Sequence, residues 1–313
     1  MPTTRMALAT CLLAGAASLA ALPVSHLDDR CRDVALAEPP QRIVALLPFY
    51  SEILLEVTGA GRIVGIGESP DTPAELAAVP SVGPAFSASR EAIVALRPDL
   101  VLGASDWSGL RSNLETAGVA VFTVGCFAGE PDFGSIRNHD DVFAAIRAIS
   151  LLATGDPQPG EHMIDRLRAE LSAVAEAVAN RGRPSVAVLY PDTTGVAPPT
   201  SAGALTPELA AVEAAGGVPA VEHAGYEQLS PERLVSANPD YIVADGSHVQ
   251  QLRSDPRLAS LAAVREGRVC AVPASAWNSS QLGETVRLLA AILHPDLGLS
   301  GSGVERAADA CRS

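Results

Sequence analysis

The sequence predicts an α/β protein of two similar Rossmann-like lobes with parallel sheets, joined by one long helix. Three observations carry this. Short apolar runs such as Ile43-Val44-Ala45-Leu46-Leu47 are continuous rather than alternating, as strands covered on both faces require. A helix, Pro-Asp and strand unit occurs twice, over residues 91–102 and 232–243, at matching places in the order. Between the two copies, residues 139–181 carry helical periodicity.

Taken in order, residues 42–48 read as a buried strand and 51–57 as a helix ended by Gly59. A second strand, 62–67, runs into the loop 68–73. The helix over 90–96 is halted by Pro98, a strand follows at 100–102, and the helix over 110–117 stops at Gly118 before a strand at 119–124. In the bridge, Val142, Phe143, Ile146, Ile149 and Leu152 share one stripe, and the breaker Thr154-Gly155-Asp156-Pro157 follows. Met163, Ile164, Leu167, Leu171, Val174 and Val178 then form a second stripe over 160–180, a rod of roughly 30 Å at about 1.5 Å per residue. The first bridge segment is expected on the first lobe and the second to lie across both. Beyond it, Val186-Ala187-Val188-Leu189-Tyr190-Pro191 answers residues 43–48, and 267–272 answers 118–124.

The domain reading is a signal peptide over 1–20, an N-terminal tail over 21–39, a first lobe over 40–126, linking helices over 127–182, a second lobe over 183–296 and a C-terminal tail over 297–313. The leader rests on Arg5, an apolar run from Met6 to Leu22 and the small-x-small site Ser18-Leu19-Ala20. It implies a periplasmic protein. A lipoprotein reading through Cys11 is the weaker alternative, because Thr10 precedes the cysteine and the apolar stretch before it is short.

Net charge is −14, and all 22 basic residues are arginine. That balance argues against nucleic acid, and the absence of lysine removes a Walker loop, a pyridoxal Schiff base and a lysine nucleophile. No G-x-S-x-G elbow precedes a helix, and the six histidines lack metal-ligand spacing. No catalytic or metal-ligating set is assigned, and the residues favour binding over catalysis. Four cysteines remain after the leader; Cys31 is expected to join Cys311, with Cys126 and Cys270 either paired or buried as small apolar groups.

In parallel α/β sheets, ligands meet residues just past the carboxyl ends of strands. Those positions hold Phe49 and Tyr50, residues 68–71, Ser105 to Trp107, Tyr190 with Asp192 and Thr193, Asp245 with His248, and Trp277 with Asn278. Aromatics make up only 4% of the chain, so both tryptophans and two tyrosines in this set suggest a surface for a large, partly flat ligand.

The strand 42–48 followed by Ser51-Glu52-Ile53-Leu54, then Gly59-Ala60-Gly61-Arg62-Ile63-Val64-Gly65, Val82-Gly83 and the paired units of 91–102 and 229–243 resemble the periplasmic solute-binding proteins that serve cobalamin, siderophore and haem ABC importers. Ala215-Gly216-Gly217 and residues 267–277 extend the resemblance over about 40–295. It implies a ligand held between lobes that close only slightly around one rigid helix, and a monomer that meets the membrane only through a permease dimer. It also implies an exposed acid on each lobe that docks on permease arginines: Glu52 matches the first, and Glu208, or Glu213 in its place, the second. The protein would have no cofactor of its own, while the bound chelate would contain cobalt or iron. Cobalamin or a related corrinoid ranks first, held by Trp107, Trp277, Phe86 and Phe49 or Tyr50. A ferric siderophore follows, then haem with Tyr50, Tyr226 or His248 as axial ligand.

Overall fold

The computed structural model describes residues 23–69, 72–104, 109–127, 130–131, 136–192, 197–299 and 310–311. The leader and Trp107 lie outside them.

A hairpin of β1 (Val24–Leu27) and β2 (Asp33–Leu36) comes first, where the sequence reads as a plain tail. The first sheet comprises β3 (Ile43–Ala45), β4 (Ile63–Glu68), β5 (Ser81–Pro84), β6 (Leu100–Leu102) and β7 (Ala120–Phe122) in the order β5-β4-β3-β6-β7, all parallel. Helices α1 (Pro48–Thr58), α2 (Arg90–Ala95) and α3 (Leu110–Thr116) cover it. A two-residue ribbon, β8 (Cys126–Phe127) with β9 (Glu130–Pro131), leads to the bridge helices α4 (His139–Thr154) and α5 (Gln158–Val178).

The second sheet comprises β10 (Ser185–Tyr190), β11 (Thr200–Ala202), β12 (Val218–Pro219), β13 (Tyr226–Gln228), β14 (Tyr241–Ala244) and β15 (Val269–Ala271). Its core strands β10, β14 and β15 are parallel and repeat the β3-β6-β7 arrangement. Unlike the first sheet it is mixed, because β11 runs antiparallel to both β10 and β13. Its helices are α6 (Pro207–Ala214), α7 (Pro231–Ala237), α8 (Gly246–Ser254), α9 (Ala262–Arg265) and α10 (Leu282–Leu293).

The repeated Pro-Asp has one physical job in both lobes. Asp99 Oδ2 accepts from the N–H groups of Gln41 and Arg42, and Asp240 Oδ2 accepts from Ser185 N–H, so each aspartate fixes the start of the neighbouring central strand. Two residues earlier, Arg97 and Asn238 both turn the chain through the left-handed region, with φ of 47° and 42°. Asparagine tolerates that conformation; arginine holds it under strain while its carbonyl accepts from Arg42.

Helix α5 packs on α4 and α10 and touches α6, and Arg166 on it pairs with Glu56 of α1 at 2.6 Å. One buried apolar cluster runs from Phe49, Ile53 and Phe122 through Ile146, Ile164 and Leu167 to Leu209, Val286 and Leu289. The bridge is therefore embedded in a core common to both lobes. Its two helices meet at Gly160, where an added Cβ would stand 2.8 Å from Ser150 Cβ and 3.1 Å from the Ile146 carbonyl oxygen. Gly160→Leu should pry α4 from α5 and cost about 2 kcal/mol, as overpacking does. Urea denaturation checks it, and an unchanged midpoint would contradict the close approach.

The cysteine expectation is corrected. Cys31 pairs with Cys126, and Cys270 with Cys311. The β1–β2 turn lies against the end of β7, where Asp29 N–H donates to the Thr123 carbonyl, which carries Cys31 to Cys126. Cys311 returns to β15 instead, with Arg253 donating to both the Val269 and Cys311 carbonyls. Each tail is thus fastened to its own lobe.

Candidate functional site

The carboxyl ends of the parallel strands frame the candidate surface, and burial sorts the residues there. Helix α1 begins at Pro48, whose fixed φ suits a first helical turn, and turns its aromatics inward. Phe49 is buried and stacks on Tyr50 at 4.0 Å between centroids. Tyr50 has no exposed surface, and its hydroxyl accepts from Val124 N–H at 2.9 Å. Burial pushes this phenol well up from its ordinary pKa. Trp277, in the turn Ala274–Trp277 that touches α1, α6 and α10, is also buried. Phe49, Tyr50 and Trp277 therefore pack inside the protein rather than facing a ligand. Phe86 behaves oppositely: it follows β5 and is 65% exposed.

In the second lobe, β10 ends at Tyr190 and α6 starts beside it. Thr206 caps α6, accepting from Leu209 N–H, and Pro207 occupies the first turn. Glu208 follows and is only 5% exposed. Tyr190 donates to its Oε1 at 2.8 Å, and Tyr226, brought over by β13, lies 3.0 Å from both carboxylate oxygens. The two phenol rings meet edge to face at 6.4 Å. Burial raises the Glu208 carboxyl, and the two phenol donors pull it back in part. Burial likewise raises Tyr190 and Tyr226, and the nearby carboxylate raises them further. Preceding this cluster, Leu205 is 65% exposed and held at φ 63°, a strained conformation for a non-glycine residue.

Asp245 caps α8, accepting from Ser247 N–H at 2.8 Å, and is half-buried. His248 is half-buried on the same helix, with no hydrogen bond to its Nδ1 among the described residues. Glu52 is 7% exposed, so neither Glu52 nor Glu208 stands out as an acid ready to dock, and Glu213, on the outer face of α6, is exposed instead. The structure unites Tyr190 with Glu208, which the sequence assigns to separate roles, and adds Tyr226. Sequence reasoning missed that juxtaposition because it depends on β11 and β13, short polar strands with no apolar signature.

A family model described as periplasmic binding protein matches residues 43–276. An uncharacterized ABC transporter substrate-binding lipoprotein of Bacillus subtilis, YvrC, is 24% identical over 287 residues, covering 88% of this chain and 86% of that protein. Among solved structures, the periplasmic haem-binding protein RhuT of Roseiflexus in apo form is 25% identical with a TM-score of 0.71, covering 82% of this chain and 99% of that one. A structure titled as an ABC-type Fe3+-hydroxamate transport system, from Saccharomonospora viridis, is 24% identical with a TM-score of 0.73, covering 89% and 100%.

Proposed function

Because the chain belongs to the periplasmic binding protein family, whose members are substrate-binding proteins of ABC importers and not enzymes, we propose that it carries an iron chelate, haem or a ferric siderophore, to a permease outside the cytoplasm. The observation that carries this is the sorting of aromatics. A corrin would rest on several exposed rings, yet Phe49, Tyr50 and Trp277 are in the core. What remains at the strand ends of the second lobe is a set of phenol and carboxyl oxygens, the donors that suit ferric iron. The haem-binding relative at 25% identity supports the same class. Iron thus replaces cobalt, and the corrinoid first choice gives way to the iron chelates.

On this reading Phe86 and Tyr226 offer exposed ring surface, and Tyr190, Asp245 and His248 supply polar contacts. The leader over 1–20 is proposed to direct export. Haemin, a ferric hydroxamate and cyanocobalamin should be compared by thermal unfolding. An iron chelate at a hundredfold excess over its Kd should stabilise the protein by about 2.7 kcal/mol, and cyanocobalamin should leave it unmoved. Stabilisation by cyanocobalamin alone would overturn the reading.

A further inference from the structure

One crossover of the first sheet differs from the rest. Parallel neighbours are joined by a connection that usually carries an α-helix, and α1, α2 and α3 serve the steps from β3 to β4, β5 to β6 and β6 to β7. From β4 to β5 the described residues hold only one short turn, Ala74–Leu76. The sheet margin there is thinly covered, and a recess of about 580 Å³ opens beside it. Ile66, Leu76, Val79 and Pro84 supply its apolar lining. Glu68, the last residue of β4, and Ser81 line it too; both are exposed, so they stand at its mouth. Glu68 Oε1 accepts from Ser81 Oγ at 3.3 Å, and Oε2 accepts from no described residue. Phe86 follows two residues after Pro84 and is exposed.

The charge around the strand ends has one sign. The turns that follow the strands, residues 46–48, 68–71, 85–87, 103–108, 123–127, 191–194, 245–248 and 272–277, hold Glu68, Asp71, Asp106, Asp192 and Asp245 but no arginine, and the chain has no lysine. Arg90, Arg111 and Arg233, in the first turns of α2, α3 and α7, have Glu91, Asp28 with Asp29, and Glu227 within ion-pair distance. Arg137, ahead of α4, is paired with Asp141 at 3.0 Å. A concave surface of one sign focuses its field, which draws cations in and turns anions away.

Within the iron-chelate reading above, we infer that the protein selects a chelate of zero or positive net charge, and that the recess beside Glu68 holds an alkylammonium arm of it. Three hydroxamates, each giving one negative charge, neutralise ferric iron, and an ammonium arm makes the whole complex cationic. Haem instead brings two propionates, and a ferric tris-catecholate keeps three negative charges. With no cation to meet them, such anions are desolvated against like charge. The methylenes of the arm lie on Val79 and Pro84, and its ammonium donates to Glu68 Oε2 and to Ser81 Oγ.

Calorimetric titration of the purified protein with ferrioxamine B, a ferric trihydroxamate with one ammonium arm, and with its N-acetyl derivative tests both parts. The iron shell is the same in the two, and only the charge of the arm differs. At about 20 mM salt ferrioxamine B should bind about fivefold more tightly, and at about 500 mM the gap should close. Haemin should bind more weakly than either. Glu68→Gln, which keeps the side-chain length, should abolish the preference, whereas Glu75→Gln, exposed on the same crossover and outside the lining of the recess, should keep it. Equal affinity for the two ferrioxamines, a gap indifferent to salt, or tighter binding of haemin would overturn the charge selection and leave the iron-chelate reading standing. A preference that survives Glu68→Gln would overturn the recess as the seat of the arm. Only the failure of every iron chelate to bind would sink the iron-chelate reading, and the charge selection with it.

Discussion

Arg111→Met is expected to destabilise the protein by about 4 kcal/mol, the range for breaking a buried ion cluster by removing one partner. Arg111 has no exposed surface and is bonded to Asp28 and Asp29 of the N-terminal hairpin and, at 3.0 Å, to Glu115. Asp28 is fully buried, and Asp29 nearly so. Burial alone would raise the Asp28 carboxyl, but the N–H groups of Arg32 and Arg30 and the Arg111 guanidinium outweigh it and hold the group below its ordinary value of 3.8. A carboxyl lowered in the fold contributes stability above its unfolded pKa and loses it as pH falls through the folded one. In the variant Asp28 keeps Arg32 but loses the buried guanidinium that helps to hold its carboxyl down, so acid should neutralise it at a gain. The deficit should therefore be largest at neutral pH, a fall in Tm of roughly 10 °C, and shrink below about pH 4. Calorimetry at pH 7 and pH 3.5 checks both parts. A deficit that did not depend on pH would mean that lost packing, not charge, accounts for it.

Glu208→Arg is the second large effect. The resemblance to importer components suggests this substitution as a test of permease docking, but the structure predicts a folding defect instead. The site is 5% exposed and built around two phenol donors, so a guanidinium there finds hydroxyls already oriented to give and no carboxylate to meet it. A cost of about 3 kcal/mol follows from burying an unpaired charge in a slot sized for a shorter chain. Glu213→Arg, on the exposed side of the same helix, should change stability by no more than about 0.5 kcal/mol. We propose Glu213 as the docking acid of this lobe. The pair of variants separates the effects: Glu208→Arg should lower both Tm and import, and Glu213→Arg import alone. Import undiminished in Glu213→Arg would remove it from the docking face.

Strands β3, β6, β10 and β14 were readable from residues alone because both faces are buried, which leaves an unbroken apolar run with few rival interpretations. Thr200-Ser201-Ala202 and Tyr226-Glu227-Gln228 have no such run; pairing at the sheet margin makes them strands, and a margin strand owes its conformation to its neighbour. The site followed the same division. Tyr190 and Asp245 could be placed from strand order. Whether Tyr50 and Trp277 face a ligand could not, since an aromatic beside apolar residues suits a core and a binding surface equally. The cysteine pairing was one of three combinatorial choices, decided by a hairpin that reads as tail.

Because Cys31 meets Cys126 and Cys270 meets Cys311, the two crosslinks are sequential rather than nested. If the leader exports the chain N-terminus first, as proposed above, the earlier bond can close while the second lobe is still on the far side of the membrane, and the later one needs only the last segment to arrive. A link from Cys31 to Cys311 would have made oxidation wait for the whole polypeptide. On that reading the arrangement would let export and oxidation proceed in step.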